Sequence, residues 1–210
     1  MTMRSLTMLV LCVATAAHAA PSIAPQYAPM FKKGQKWTYA VTTTAFDRVD
    51  PKHESVLLPE KNPPHSSVTC RVTDVIVFKT ATVSVIRCDK EIDDDSNVLV
   101  DGEWVATKDG ISRGVDVELP QSEGDISIGV NVIAMNPKVE RTKTKTFYGP
   151  VVTAVTNPAN GTWCKTNDTR GLADGGVETL CFAAGIGITR GKLDYYGGTP
   201  RTVEYQLASP

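Results

Sequence analysis

Hydrophobic and polar residues alternate with a period of two along most of this chain. Val203, Tyr205 and Leu207 alternate with Thr202, Glu204 and Gln206. Ile126, Ile128, Val130 and Val132 alternate with Ser127, Gly129 and Asn131. The run from Trp37 to Phe46, WTYAVTTTAF, is rich in aromatic and β-branched residues. Such alternation marks strands with one buried and one wet face. Turn pairs separate the runs: Asp101-Gly102, Asp109-Gly110, Asn160-Gly161, Gly175-Gly176 and Gly197-Gly198. The pattern predicts about ten to twelve strands. No segment carries a sustained helical stripe, and a short helix fits best around Ala28 to Lys33.

Many antiparallel strands joined by tight turns make a meander. The fold class predicted is all-β, an antiparallel meander curled into a barrel or half-open barrel, because a flat sheet of that size is unfavourable; the alternative is a β-sandwich. One stretch interrupts the pattern. Positions 47–67, DRVDPKHESVLLPEKNPPHSS, hold four prolines and both histidines of the mature chain, and are predicted as a long loop.

The opening, MTMRSLTMLVLCVATAAHAA, places Arg4 before an apolar run and ends in the small-x-small pattern Ala17-His18-Ala19. It predicts a signal peptide over 1–20, cut near Ala19 or Ala20, and hence a secreted or periplasmic protein. The apolar run is too short to span a bilayer, and the rest of the chain has no transmembrane segment by the same length argument. Lipidation at Cys12 is disfavoured, because Leu11 stands where a small residue is needed. The remainder divides into a lead segment, 21–34, and a single β domain, 35–210, a size that suits one domain.

Charge excludes one class of partner. The chain has 22 basic and 23 acidic side chains, a formal net charge of −1, and the leader removes Arg4. No global field is present to draw in a polyanion such as nucleic acid or an anionic membrane.

Four cysteines follow the leader: Cys70, Cys88, Cys164 and Cys181. An even count behind a signal peptide predicts disulfides. A hairpin centred near Lys79 sets Cys70 opposite Cys88, and one turning through Gly-Leu-Ala-Asp-Gly-Gly sets Cys164 opposite Cys181. Those two pairings are therefore expected, although the first also faces Arg71 with Arg87. No Cys-x-x-Cys exists and no histidine of the mature chain lies near a cysteine, so no metal is expected.

The other motifs carry little chemistry. Gly185-Ile186-Gly187 is not a dinucleotide loop, since the third glycine is displaced and strand-like sequence follows where a helix should begin. Glycines there suit a bend, or bare backbone against which a side chain can pack. The acidic run Glu91 to Glu103 has calcium-loop spacing at Asp93, Asp95 and Asn97, but Val98 and Trp104 replace the required glycine and glutamate. His53 and His65 have no marked serine or cysteine partner, and no nucleophile elbow occurs, so no catalytic residue is assigned. In the run from Lys138 to Gly149, Arg141, Lys143 and Lys145 fall on one face and Thr142, Thr144 and Thr146 on the other. This predicts an exposed edge strand guarded by lysines, with a strip for an anionic polymer or lipid headgroup as its functional reading. Asn160 and Asn167 head glycan acceptor patterns.

Two pieces together resemble a known group. GQKWTYAV, Gly34 to Val41, and CFAAGIGITRG, Cys181 to Gly191, are similar to the framing motifs of uncharacterised secreted or periplasmic bacterial β-proteins. Ala184 stands where that group usually has proline, and Cys181 where it often has a large residue. The resemblance implies a curled sheet like the half-open barrels of periplasmic lipoprotein carriers, and no catalytic residues.

The resulting expectation is a non-catalytic binding protein that takes an apolar small molecule or lipid in the lumen of a β-barrel, without a cofactor. Trp37, Tyr39, Trp104, Phe182, Tyr195 and Tyr205 are its candidate lining, as ligand sites favour barrel mouths. The alternatives are a structural or interaction protein of the envelope or extracellular matrix, with an envelope protein as partner, and a hydrolase with an unrecognised site.

Overall fold

The structure is a computed structural model that describes residues 20–210 except 51–52, 91–99, 115–118, 127, 160, 173–174 and 198–199. The expected leader, 1–20, except its last residue, and the acidic residues 91–99 therefore lie outside the described residues. Among the described residues, thirteen strands form a single antiparallel sheet. They are β1 (Lys36–Asp50), β2 (His53–Pro59), β3 (His65–Val77), β4 (Ala81–Cys88), β5 (Gly102–Thr107), β6 (Gly110–Gly114), β7 (Ile128–Ala134), β8 (Glu140–Thr146), β9 (Gly149–Ala159), β10 (Thr162–Asp168), β11 (Gly176–Ala183), β12 (Gly187–Tyr195) and β13 (Arg201–Ser209).

The order is β7-β6-β5-β4-β3-β1-β13-β12-β11-β10-β9-β8, with β2 beside the outer half of β1. The first strand thus lies mid-sheet, bonded to β3 on one side and to the last strand on the other. β7 and β8 are the two free edges of this order. Only residues 135–139 join them, a tether reaching at most about 20 Å. The sheet must therefore roll until its edges face each other across a seam. It is one curled sheet that does not close, rather than a sandwich.

Inward positions follow from register. Trp37, Tyr39 and Val41 on β1 oppose Cys70, Val68 and Ser66 on β3. Val41 also opposes Tyr205, which opposes Gly191, which opposes Leu180. One hydrophobic cluster runs through these positions and on to Ile86, Trp104, Ala106, Ile111, Ile133 and Val155. A second, smaller cluster of Ala81, Val83 and Val105 lies on the outer face. There the 3₁₀ turn Glu123–Asp125 is fastened by Glu123, which accepts from the Thr80 amide and hydroxyl.

The lead segment closes one end of the roll. Tyr27 and Met30 are fully buried, and a 3₁₀ turn spans Ala28–Phe31 where the sequence predicts a short helix. The Tyr27 hydroxyl donates to the Ala134 carbonyl at the end of β7. Its ring meets Phe182 edge-on at 5.3 Å, and the Gly185 amide donates to the Pro25 carbonyl. This segment therefore spans from the β7 edge to the β11–β12 turn. That turn holds the glycines in question. Gly185 and Gly187 have φ of +74° and +89°, and a Cβ on Gly187 would sit 3.3 Å from the Trp37 ring. The Trp37 indole donates to the Ile186 carbonyl at 2.6 Å. These glycines shape a tight turn under an aromatic side chain.

Both expected disulfides are present, Cys70–Cys88 and Cys164–Cys181, each across a hairpin in the anticipated register. Arg71 does face Arg87, but Arg87 reaches across to Asp101 at 3.5 Å, which relieves the like-charge pair.

One expectation needs correction. The stretch 47–67 is not a loop. β1 continues to Asp50 and pairs with β2, and β3 begins at His65. Pro63 and Pro64 fall outside the strands and Pro59 ends one, so none of these removes a bond from the middle of β2. At β7, Ile133 is buried, while the side chains of Ile128, Val130 and Val132 lie outside the described residues. The β6–β7 ladder carries register shifts at Ile111/Ser112 and Ser112/Gly114.

Candidate functional site

Of the six aromatic residues expected to line a lumen, five are buried core. Trp37, Tyr39, Trp104, Phe182 and Tyr205 are each within 1% of fully buried. Tyr39 and Tyr205 meet edge-on at 5.3 Å, and the Tyr39 hydroxyl donates to the Ile188 carbonyl. Tyr195 is half-buried, with the Arg201 guanidinium 5.2 Å from its ring centre.

Away from the capped end, the inner face changes character. Arg113 on β6 opposes the inward Trp104. Glu178 on β11 is two residues from inward Leu180 and opposes Asn167 on β10. Lys165 on β10 opposes Leu180 itself. All four side chains are half-buried, so water reaches the inner face here. Asn167 hydrogen-bonds to Glu178 and accepts from the Thr153 hydroxyl. This ties the glycan-pattern asparagine at 167 into the interior, while Asn160 lies outside the described residues.

The electrostatics join strands that are far apart in the sheet. Glu178 feels the cations of both Arg113 and Lys165, so the rolled sheet brings β6 opposite β10 and β11. Burial raises the Glu178 carboxyl above its ordinary range, and those two cations and Asn167 pull it back down without cancelling the rise. Burial lowers Arg113 and Lys165, opposed chiefly by Glu178. Near Arg113 and Glu178, the Tyr205 hydroxyl is fully buried with no hydrogen-bond partner among the described residues. Burial drives its ionisation far above the usual tyrosine range. An unpaired buried hydroxyl costs about 1–3 kcal/mol.

Glu178 gives a pH prediction. Unfolded, it ionises near the usual glutamate value of about 4.3. Folded, its affinity for a proton is higher. Its stabilising contribution is thus present at low pH and lost as pH rises through the folded value. Glu178→Gln is expected to melt higher than wild type at neutral pH and level with it below about pH 4. Thermal melts across that range check this; a variant that is weaker at neutral pH would mean that pairing with Arg113 and Lys165 dominates.

The sequence did carry a signal for this group. Arg113 is in phase with Ile111, Lys165 with Trp163, and Glu178 with Leu180 and Phe182. A charge in phase with the apolar face of a strand is a charge pointing inward.

His65 begins β3, exposed, with its ring nitrogen 2.8 Å from the Thr42 hydroxyl. His53 lies on β2. Among the described residues no three or more His, Cys, Asp or Glu side chains converge as a metal site would require.

Together these features define a class: a half-open antiparallel β-barrel, sealed at one end by its own lead segment and charged within towards the other. The two disulfides are compatible with an oxidising compartment. No described helix is long and apolar enough to cross a membrane. Beyond the class no likeness is found: no protein-family model, no curated protein and no solved structure matches the chain.

Proposed function

We propose that this chain is an exported, non-catalytic binding protein that holds a lipid-like small molecule in the open half of its rolled sheet. The ligand has an apolar body and an acidic head. The supporting observation is the Tyr205 hydroxyl, buried without a partner among the described residues, beside Arg113 on an inner face that also carries Lys165. An anionic oxygen there accepts from the hydroxyl and meets two cations whose desolvation it offsets. The apolar tail lies along Leu193 and Val203, which are paired on the same face. Glu178 balances the cations when no ligand is bound, and its raised proton affinity lets it become neutral when an acid enters.

The test has two arms. Protein purified from an exporting host is extracted into organic solvent for mass spectrometry, and the stripped protein is titrated with palmitate. A co-purifying acidic lipid and saturable palmitate binding are expected, with Tyr205→Phe weakening that binding by about tenfold, the worth of a hydrogen bond to a charged group. Protein that yields no small molecule and ignores palmitate sinks the proposal.

A further inference from the structure

The β8–β9 hairpin stands at a free edge of the sheet, and its tip carries two adjacent exposed aromatic residues. Phe147 and Tyr148 are 95% and 79% exposed, adjacent, and packed edge-on with ring centres 5.2 Å apart. The tip cannot fold back to hide them. The Thr146 hydroxyl donates to the Gly149 carbonyl at 2.6 Å, which fastens the turn. Behind it, Gly149 and Pro150 press on Gly171 and Leu172 of the neighbouring turn. A Cβ on Gly149 would come within 2.5 Å of the Gly171 carbonyl oxygen, and one on Gly171 within 2.7 Å of the Pro150 ring.

Charge lies directly behind the aromatic tip. Glu140, Thr142 and Thr144 oppose Val155, Thr153 and Val151 on the inner face, so Arg141, Lys143 and Lys145 project outward. All three are exposed. Their partners across the ladder are Ala154, Val152 and Pro150, none of them acidic. The nearest outward carboxylate on the following strand is Asp168, opposite Val152. It is bound chiefly by Arg170, whose two guanidinium nitrogens lie 3.0 and 2.6 Å from its oxygens and hold it at about 2, with a smaller pull from Arg141. The outer face of the hairpin is thus a row of three cations beside a row of apolar side chains, ending in two bare aromatic rings.

We propose that this hairpin docks the protein on an anionic lipid surface. Phe147 and Tyr148 enter the headgroup layer, where aromatic rings gain most at the boundary between water and hydrocarbon. Lys145, Lys143 and Arg141 follow at about 7, 13 and 20 Å along the strand. A hairpin tilted onto its outer face brings all three to the phosphates, their long stems lying along Pro150 and Val152. The chain as a whole is slightly acidic, so the attraction belongs to this face alone. These residues lie on the outside of the roll, and the proposal is independent of what the lumen holds.

The experiment is co-sedimentation of the full mature chain with vesicles of phosphatidylcholine, with and without phosphatidylglycerol. Binding is expected only where phosphatidylglycerol is present and is expected to weaken as salt rises. The pair Lys143→Glu with Lys145→Glu is expected to reduce it by well over tenfold, at about fivefold for each cation lost. The pair Phe147→Ser with Tyr148→Ser is expected to reduce it about tenfold while keeping its salt dependence. Circular dichroism confirms that both variants fold, as the exposure of every altered side chain leads one to expect. Failure to bind either vesicle, as a hairpin serving a protein partner would show, overturns the proposal. So does binding that neither pair of substitutions changes.

Discussion

Gly191→Ala is expected to lower stability by about 3 kcal/mol, a large loss for the addition of one methyl group. A Cβ at this position would lie 2.0 Å from the Tyr205 ring and 2.2 Å from its hydroxyl. Something must move, and little can. Gly191 sits in the middle of β12, bonded into ladders on both sides. Tyr205 is buried and wedged edge-on against Tyr39, whose hydroxyl is itself anchored on Ile188. Overpacking of this kind costs about 1–3 kcal/mol, and expelling an aromatic ring from a core about 3–5. The backbone is not the cause, since Gly191 has no left-handed φ. A double-mutant cycle with Tyr205→Ala isolates the clash: the paired variant should lose clearly less than the two single losses added together. Denaturant melts settle it, and a Gly191→Ala protein as stable as wild type would show that the ring does not cross the strand here.

Removing both disulfides is expected to leave the chain unfolded at 37 °C. Each bridge closes a loop with a sequence separation of 18 or 17 residues. Loops of that length stabilise by about 3 kcal/mol apiece, against a total of about 5–15 kcal/mol for a domain. The two are not equivalent. Cys70 lies fully buried on the inner face opposite Trp37, while Cys164 and Cys181 sit out of phase with inward Lys165 and Leu180. Cys70→Ala with Cys88→Ala therefore opens a cavity beside the indole and should cost more than Cys164→Ala with Cys181→Ala. Chemical denaturation of the two paired variants and of the fourfold variant ranks them. A fourfold variant with native ellipticity at 37 °C refutes this account.

What was legible in the sequence was local. The Cys70/Cys88 and Cys164/Cys181 registers follow from hairpins whose turns and strand lengths are written between the cysteines, and even the awkward Arg71/Arg87 pair is read correctly. The edge character of Arg141, Lys143 and Lys145 is likewise legible, because a strand apolar on neither face has nothing to bury. Two things were not. β2 was hidden by proline count, although the prolines fall at its end and beyond. The inward charges were missed because Arg113 meets Lys165 and Glu178 only after the sheet has rolled. Lys165 and Glu178 share the β10–β11 hairpin, but β6 is far from it in the chain, so no single hairpin shows the group. The aromatic residues chosen as lining show the same limit from the other side. Alternation identifies Trp37, Tyr39 and Tyr205 as inward, but it does not distinguish a packed end from an open one.

The position of β1 has a consequence for how the molecule is assembled. Each neighbouring pair on the path from β3 to β7, and each pair from β8 to β13, is adjacent in the chain, so those two meanders can form as the polypeptide emerges. The β1–β13 ladder cannot, since Val41 must wait for Tyr205. Loop-closure entropy is paid once, late, at the centre of the sheet. A circular permutant that joins the end of β13 to the lead segment and begins within 135–139 would run from edge to edge with every ladder of the main path local. It would turn the most distant ladder of the native order into a local one, closed through the lead segment, and leave the same barrel standing.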